Sequence, residues 1–224
     1  MTLAQPRLDE LWDFAEPAAS EARMRAAAEQ ETDAPTRAEL ETQVARALGL
    51  QERFDEADAI LDAVSVEDAA VAARAALERG RVRNSAGDAE AAVAYFLAAV
   101  DAASGAGLTF LQVDALHMLA ITDPDQAEHW TDTALGLLDG VDDARTLRWR
   151  VSLHNNAGWA HLDAGHVADA ITSFEAARDA ATRWGTPQQV QWADEALAEA
   201  REAAGMAGLP AQRAHDRGDL HISG

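Results

Sequence analysis

The sequence contains no cysteine, and only 5% of its 224 residues are aromatic. Without cysteine, disulfides, thiolate nucleophiles and cysteine-ligated zinc are excluded. No run of about 18 uncharged apolar residues occurs, so no membrane-spanning helix is predicted. The first ten residues lack a basic segment followed by an apolar core, and without such an export signal we expect a cytoplasmic protein.

Positive charge is scarce, and lysine is missing altogether. The chain has 39 acidic residues against 18 basic ones, all of them arginine, and a formal net charge of −21. A field of this sign repels polyanions and anionic lipid surfaces. We therefore expect neither nucleic acid nor a membrane as a partner.

Alanine is abundant, at about a quarter of the residues, whereas β-branched residues are few. Alanine has the highest intrinsic helix propensity, so the composition predicts an all-α protein.

No phosphate-binding loop, dinucleotide fingerprint or nucleophile elbow is present. The sequence therefore predicts no enzyme activity and no cofactor.

Alanines at helix-entry segments recur at a fixed interval. Three successive intervals are 35 residues and the fourth is 43, between Ala22, Ala57, Ala92, Ala127 and Ala170. Twelve residues before the last four of these alanines stands a small residue, Ala45, Gly80, Ala115 or Gly158. Four residues after three of them stands a large apolar one, Leu61, Phe96 or Phe174. This alternation lets one helix of a pair pack closely on the next, and it predicts repeated helix pairs.

The pattern resembles the tetratricopeptide repeat family, whose unit is a helix–turn–helix of about 34 residues. The best match is the segment 153–177, with the small residue, turn glycine, alanine and phenylalanine of the family at Gly158, Gly165, Ala170 and Phe174. The resemblance covers about residues 8–205 and implies a bacterial protein of this repeat type.

The fold class that the resemblance implies is all-α, a right-handed α–α superhelix of four to five helix pairs with a C-terminal capping helix. We expect one domain over residues 1–205, followed by a flexible tail at 206–224. The predicted repeat units are 36–65, 68–103, 107–138 and 143–184, with the cap at 187–204.

In this family the first helix of each pair lines a concave groove where ligands bind. Carried over by spacing, the resemblance places a set of polar and aromatic residues there, namely Arg46, Arg74, Arg81, Asn84, Gln112, Asn155 and Trp159. Amide side chains both donate to and accept from peptide backbone, and arginine binds a carboxylate through two hydrogen bonds. Asn155 and Asn156 are also similar to the paired asparagines that hold peptide backbone in kinesin-light-chain-like and pheromone-receptor repeats.

The function implied is a scaffold that binds another protein or a peptide segment, with an acidic segment or a C-terminus as the favoured ligand. A purely structural interpretation of the same arginines is that each pairs with an acidic residue on a neighbouring repeat. A third interpretation is self-association into a homodimer, suggested by apolar residues on the terminal helices such as Leu11, Trp12 and Trp192.

Histidine offers one further alternative. His154 and His161 lie seven residues apart, with His166 in the turn beyond them, and a metal site could be drawn with Asp163 or Asp169. Helical metal sites usually pair ligands three or four residues apart, as in the pattern H-E-x-x-H, and that pattern is absent here. We therefore expect these histidines to pack between helices and predict no metal ligand. A metal-dependent hydrolase is the weakest of the hypotheses.

Overall fold

The alanine-rich segments form helices in the computed structural model, which describes residues 3–205. In chain order the helices are α1 (Gln5–Leu11), α2 (Pro17–Gln30), α3 (Ala34–Gly49), α4 (Phe54–Ala63), α5 (Ala69–Ser85), α6 (Ala89–Gly105), α7 (Thr109–Thr122), α8 (Ala127–Leu138), α9 (Ala144–Leu147), α10 (Trp149–Asp163), α11 (Val167–Trp184) and α12 (Pro187–Gly205). A short 3-10 turn spans Pro124–Gln126. Residues 3–205 contain no strand, which confirms the all-α prediction. Within the same range, no helix combines the length and apolar character needed to cross a lipid bilayer.

Aspartate side chains begin several of these helices. Asp33, Asp68, Asp88 and Asp143 each accept a hydrogen bond from a backbone N–H in the first turn that follows. These N–H groups have no partner within the helix, and the positive end of the helix dipole favours a carboxylate there. Part of the large acidic excess is therefore used to start helices.

The turn between paired helices requires a left-handed backbone conformation. Gly87 has φ +84° and Gly165 has φ +79°. In the repeat that lacks a turn glycine, Glu52 lies 35 residues before Gly87 and takes the same conformation, with φ +59°. The turn therefore has the same left-handed backbone conformation even where glycine, the residue type that favours it, is replaced by glutamate.

The helices group into two compact units, residues 1–126 and residues 127–224. The first contains α1 to α7, and the second contains α8 to α12. The sequence suggested a single domain over residues 1–205 instead, and its predicted repeat 107–138 is divided between the two units. The predicted tail, 206–224, lies outside the described residues.

In the first unit, α3 packs against α2, α4 and α5, and α5 packs in turn against α6 and α7. The helices α5 and α6 approach closely at Gly80 on α5, where an added Cβ would lie 2.4 Å from the ring of Phe96 on α6. Phe96 is fully buried. A small residue is therefore needed at this position for the α5–α6 pair to form.

The second unit repeats this contact. α10 packs on α11, and α11 packs on α12. At Gly158 on α10 an added Cβ would lie 2.5 Å from the buried ring of Phe174 on α11. The glycine and phenylalanine that carry the family resemblance thus face each other in both units.

Gly158→Ala should lower the free energy of unfolding of the second unit by about 1–3 kcal/mol, because the new methyl group overlaps the Phe174 ring. The matched control is Gly136→Ala in α8 of the same unit, where an added Cβ meets no atom within 4 Å. That change should stabilise the unit by about 0.4–1 kcal/mol, since alanine restricts the unfolded chain. Urea unfolding followed by circular dichroism measures both, and a Gly158→Ala protein as stable as wild type would contradict the packing described.

Candidate functional site

Charged and polar side chains line the row of helices α3, α5 and α7. We call this surface the polar face; its residues are Glu39, Gln43 and Arg46 on α3, Arg74, Glu78 and Arg81 on α5, and Asp114 on α7. All seven are at least half-buried, and Glu39 and Glu78 are almost completely so. Ionised groups are rarely buried without partners, so their hydrogen bonds decide what this face can bind.

The first pair joins α3 to α5. The Arg74 guanidinium Nε donates to Glu39 Oε2 at 2.7 Å, and both side chains are at least 95% buried. The two residues are 35 positions apart, which is one repeat. Arg74 is therefore held by a neighbouring repeat, as the structural interpretation of the arginines predicted.

Glu78 is the centre of a second network. Its Oε1 accepts from Arg81 Nη1 at 2.7 Å and from Gln43 Nε2 at 3.3 Å, and Gln43 again lies 35 residues away. Arg81 also donates to Asp114 on α7 through Nη2. Arg81 thus links two helices and is occupied on both sides by carboxylates.

The electrostatic environment of Asp114 follows from this network. Burial alone would raise the pKa of its carboxyl, but the charges of Arg81 and Arg46 and the hydrogen bond from Arg81 bring the pKa below its ordinary value. Asp114 is therefore ionised and acts as a fixed counter-ion on this face.

Arg46 differs from the other two arginines. Its guanidinium carbon lies 5.5 Å from the ring centre of Trp12 and 5.3 Å from that of Phe14, two rings that stack on each other at 4.5 Å. Within the described residues its guanidinium makes no hydrogen bond or ion pair. Burial, followed by repulsion from Arg81, lowers the pKa of Arg46 to about 10. Arg46 is thus a charged, half-buried donor without a carboxylate of its own.

The N-terminal segment of the chain lies on the same face. The backbone N–H of Leu3 donates to Glu39 Oε1 at 2.6 Å, and Trp12 Nε1 donates to Gln43 Oε1 at 3.2 Å. Leu3 and Leu8 are buried against α2 and α3, where they pack with Leu40. A stretch of polypeptide thus already makes backbone and side-chain bonds to residues of the polar face.

The structure brings together only some of the residues that the sequence assigned to a groove. Arg46, Arg74 and Arg81 meet on the polar face; Asn84 is half-buried further along α5, with its Oδ1 accepting a bond from Thr122, and Gln112 is half-buried on α7. Asn155 and Trp159 belong to the second unit. There Asn155 is buried, and Trp159 packs edge-on against Phe174 with ring centres 5.0 Å apart.

Sequence reasoning missed several residues that shape the face, namely Trp12, Phe14, Gln43, Glu78 and Asp114. The 35-residue interval carried a usable signal for two of them, because Gln43 faces Glu78 one repeat later. Trp12 and Phe14 had no such signal, since they lie outside the region where complete repeat units match. Asp114 lies 33 residues after Arg81, a spacing that the repeat interval does not give.

Comparison with known proteins gives information on the fold alone. No protein-family model matches the sequence, and no curated protein matches it. The chain is similar to the crystal structure of BtubC (BKLC) from P. vanneervenii, with a TM-score of 0.64, over 97% of this chain and 99% of that one. The two sequences are 16% identical, so the similarity supports the helical architecture and says nothing about a shared ligand.

Asp114→Asn should lower the free energy of unfolding near pH 7 by about 1.5–3 kcal/mol, because it removes the charge that Arg81 binds. The pKa of Asp114 is lowered in the folded state, so this stabilisation is present above the ordinary carboxyl pKa of about 3.9. It is lost as the pH falls through the lowered value. The difference from wild type should therefore shrink at about pH 3 in urea unfolding.

The control for this substitution is Asp101→Asn, which makes the same replacement of a carboxylate by an amide at an exposed position on α6 of the same unit. It should shift the stability by no more than about 0.5 kcal/mol at either pH. If Asp114→Asn and Asp101→Asn had equal effects, the carboxylate of Asp114 would not hold Arg81 in the way described.

Proposed function

We propose that this chain is a tetratricopeptide-type helical-repeat protein that binds a polypeptide segment on the polar face of α3, α5 and α7. In this proposal the helix pairs belong to a right-handed superhelix, and the face is part of its concave side. Support comes from the glycine–phenylalanine contact within pairs and from polar partners that lie one repeat apart, Glu39 with Arg74 and Gln43 with Glu78.

The observation that carries the proposal is the chain's own N-terminal segment on this face. Its backbone donates to the Glu39 carboxylate and its Trp12 indole donates to the Gln43 amide. A bound peptide must satisfy its backbone N–H groups and bury aromatic or apolar side chains, and this segment does both. These contacts support a role of this surface in holding polypeptide in addition to packing helices.

Arg46 defines the class of ligand. Arg74 and Arg81 are paired with carboxylates of the chain, whereas the Arg46 guanidinium has no ion pair among residues 3–205 and lies over two aromatic rings. A carboxylate supplied by a partner would gain charge-assisted hydrogen bonds from a guanidinium that is already largely desolvated. The ligand we propose is an acidic segment or a free C-terminus of another protein, with no role for nucleic acid or lipid.

The two other hypotheses from the sequence are less well supported. The apolar residues that suggested a homodimer are partly covered, since Leu11 and Trp12 pack against the core of α2 and α3 and Trp192 is half-buried. For a hydrolase, the group of metal-ligating side chains around His161 does not include His154. His154 lines a cleft beside Asp139 and Arg150, where burial and the charge of Arg150 lower its pKa.

Arg46→Ala should weaken peptide binding about tenfold to a hundredfold, since a hydrogen bond to a charged group contributes roughly 1.5–3 kcal/mol. The ligands are peptides selected on the full-length protein from two random libraries, one of internal acidic segments and one with free C-termini. Titration calorimetry at low and high salt measures the affinities. The loss should become smaller as salt is added, because part of the attraction is long-ranged.

Arg37→Ala is the matched control, because Arg37 lies on α3, is exposed and donates to the backbone carbonyl of Glu31 away from the polar face. It removes the same charge and should leave the affinity nearly unchanged. Arg46→Lys should recover only part of the binding, since lysine cannot donate two parallel bonds to one carboxylate. Equal losses in Arg46→Ala and Arg37→Ala, or no loss in either, would place the ligand on another surface.

A further inference from the structure

The turn between α10 and α11 brings three metal-ligating side chains together in the second unit. His161 lies in the last turn of α10, His166 is the N-cap of α11, and Asp169 lies in the first turn of α11. One ligand atom of each residue lies within 4.8 Å of the corresponding atoms of the other two. The sequence separated these residues by five and three positions, a spacing that no single helix would bring to one point.

The backbone of the turn holds this arrangement in place. The N–H of His166 donates to the carbonyl of His161 at 2.8 Å, and that of Gly165 donates to Leu162 at 3.1 Å. Gly165 supplies the left-handed conformation that reverses the chain, with φ +79°. Both imidazoles are thereby attached to a hydrogen-bonded turn and not to a free loop.

Among residues 3–205, the three side chains have no competing partners. Within the described residues, none of them makes a side-chain hydrogen bond or an ion pair. The two imidazole ring centres are 6.4 Å apart, and the ring planes are inclined at 43°. His161 is half-buried, while His166 and Asp169 are exposed, so their torsions are able to adjust. Tetrahedral zinc needs ligand atoms about 3.4 Å apart. Small rotations of the three side chains can shorten the present separations, which are within 4.8 Å, to this distance.

We propose that His161, His166 and Asp169 form a binding site for a divalent transition-metal ion of the zinc class. Two imidazole nitrogens and one carboxylate oxygen are a donor set that zinc, cobalt and nickel accept, with a further position left for water. The bound ion would join the end of α10 to the start of α11. The site lies in the second unit and does not depend on the peptide-binding proposal.

The test is titration of the full-length, metal-free protein with zinc chloride by calorimetry, and with cobalt, whose visible absorption reports coordination geometry. We expect one site, and a zinc-dependent rise in the thermal unfolding midpoint because the ion binds only the folded turn. His161→Ala, His166→Ala and Asp169→Asn should each weaken zinc binding at least about tenfold, the loss that even outer-shell changes cause. Circular dichroism checks that these surface variants fold.

Two control proteins separate this site from general histidine binding. His129→Ala changes an exposed histidine on α8 of the same unit. The double variant His215→Ala/His221→Ala removes the two histidines beyond residue 205. Both controls should bind zinc as wild type does. Binding that persists in His161→Ala/His166→Ala, that is lost in the residue 215 and 221 variant, or that is absent in wild type would overturn the proposal.

Discussion

The contact of a glycine with an aromatic ring sets how closely the helices of a pair approach. In both units the missing Cβ, at Gly80 or Gly158, leaves the space that Phe96 or Phe174 fills. Because interiors are close-packed, a methyl group at either position would push the two helices apart. In the first unit, this pairing keeps α5 seated beside α3 and α7, where its charged residues meet partners on those helices. The geometry of the candidate site thus depends on an apolar contact.

The polar face carries three arginines and three carboxylates in a largely buried setting. Taking such charges out of water is costly, and only good geometry and further hydrogen bonds offset the cost. Glu39, Glu78 and Asp114 each accept a bond from Arg74 or Arg81. Glu78 Oε2 and Arg74 Nη2 have no hydrogen-bond partner among the described residues. Arg46 does not, since it has aromatic neighbours and a lowered pKa instead of a carboxylate. The uneven distribution of partners is what makes one of three similar residues a candidate for binding.

Much of the fold could be predicted because it follows from local spacing. The 35-residue interval and the composition predicted the helices, and the glycine and phenylalanine positions predicted which helices pair. The division into two units could not be predicted, since the interval continues through Ala127, where the division falls. The sequence also did not predict that Asp114 binds Arg81, or that the rings of Trp12 and Phe14 lie against Arg46. These three residues reach the polar face through tertiary packing.

The histidines are a second case in which sequence spacing did not predict which residues lie close together. The absence of an H-E-x-x-H pattern argued against a metal site, and that pattern describes histidines on one helix. His161 and His166 are on different helices, and Gly165 turns the chain between them. Spacing rules apply within an element, whereas a turn brings together residues that the rules treat as separate.

Binding of a polypeptide ligand to the polar face can be followed residue by residue by amide and indole NMR on the isotope-labelled full-length protein, titrated with a selected acidic peptide. The largest shifts should fall on the Trp12 indole N–H and on residues of α3, α5 and α7 around Arg46. Shifts confined to α4, α6 or the second unit, with the Trp12 indole unmoved, would contradict it.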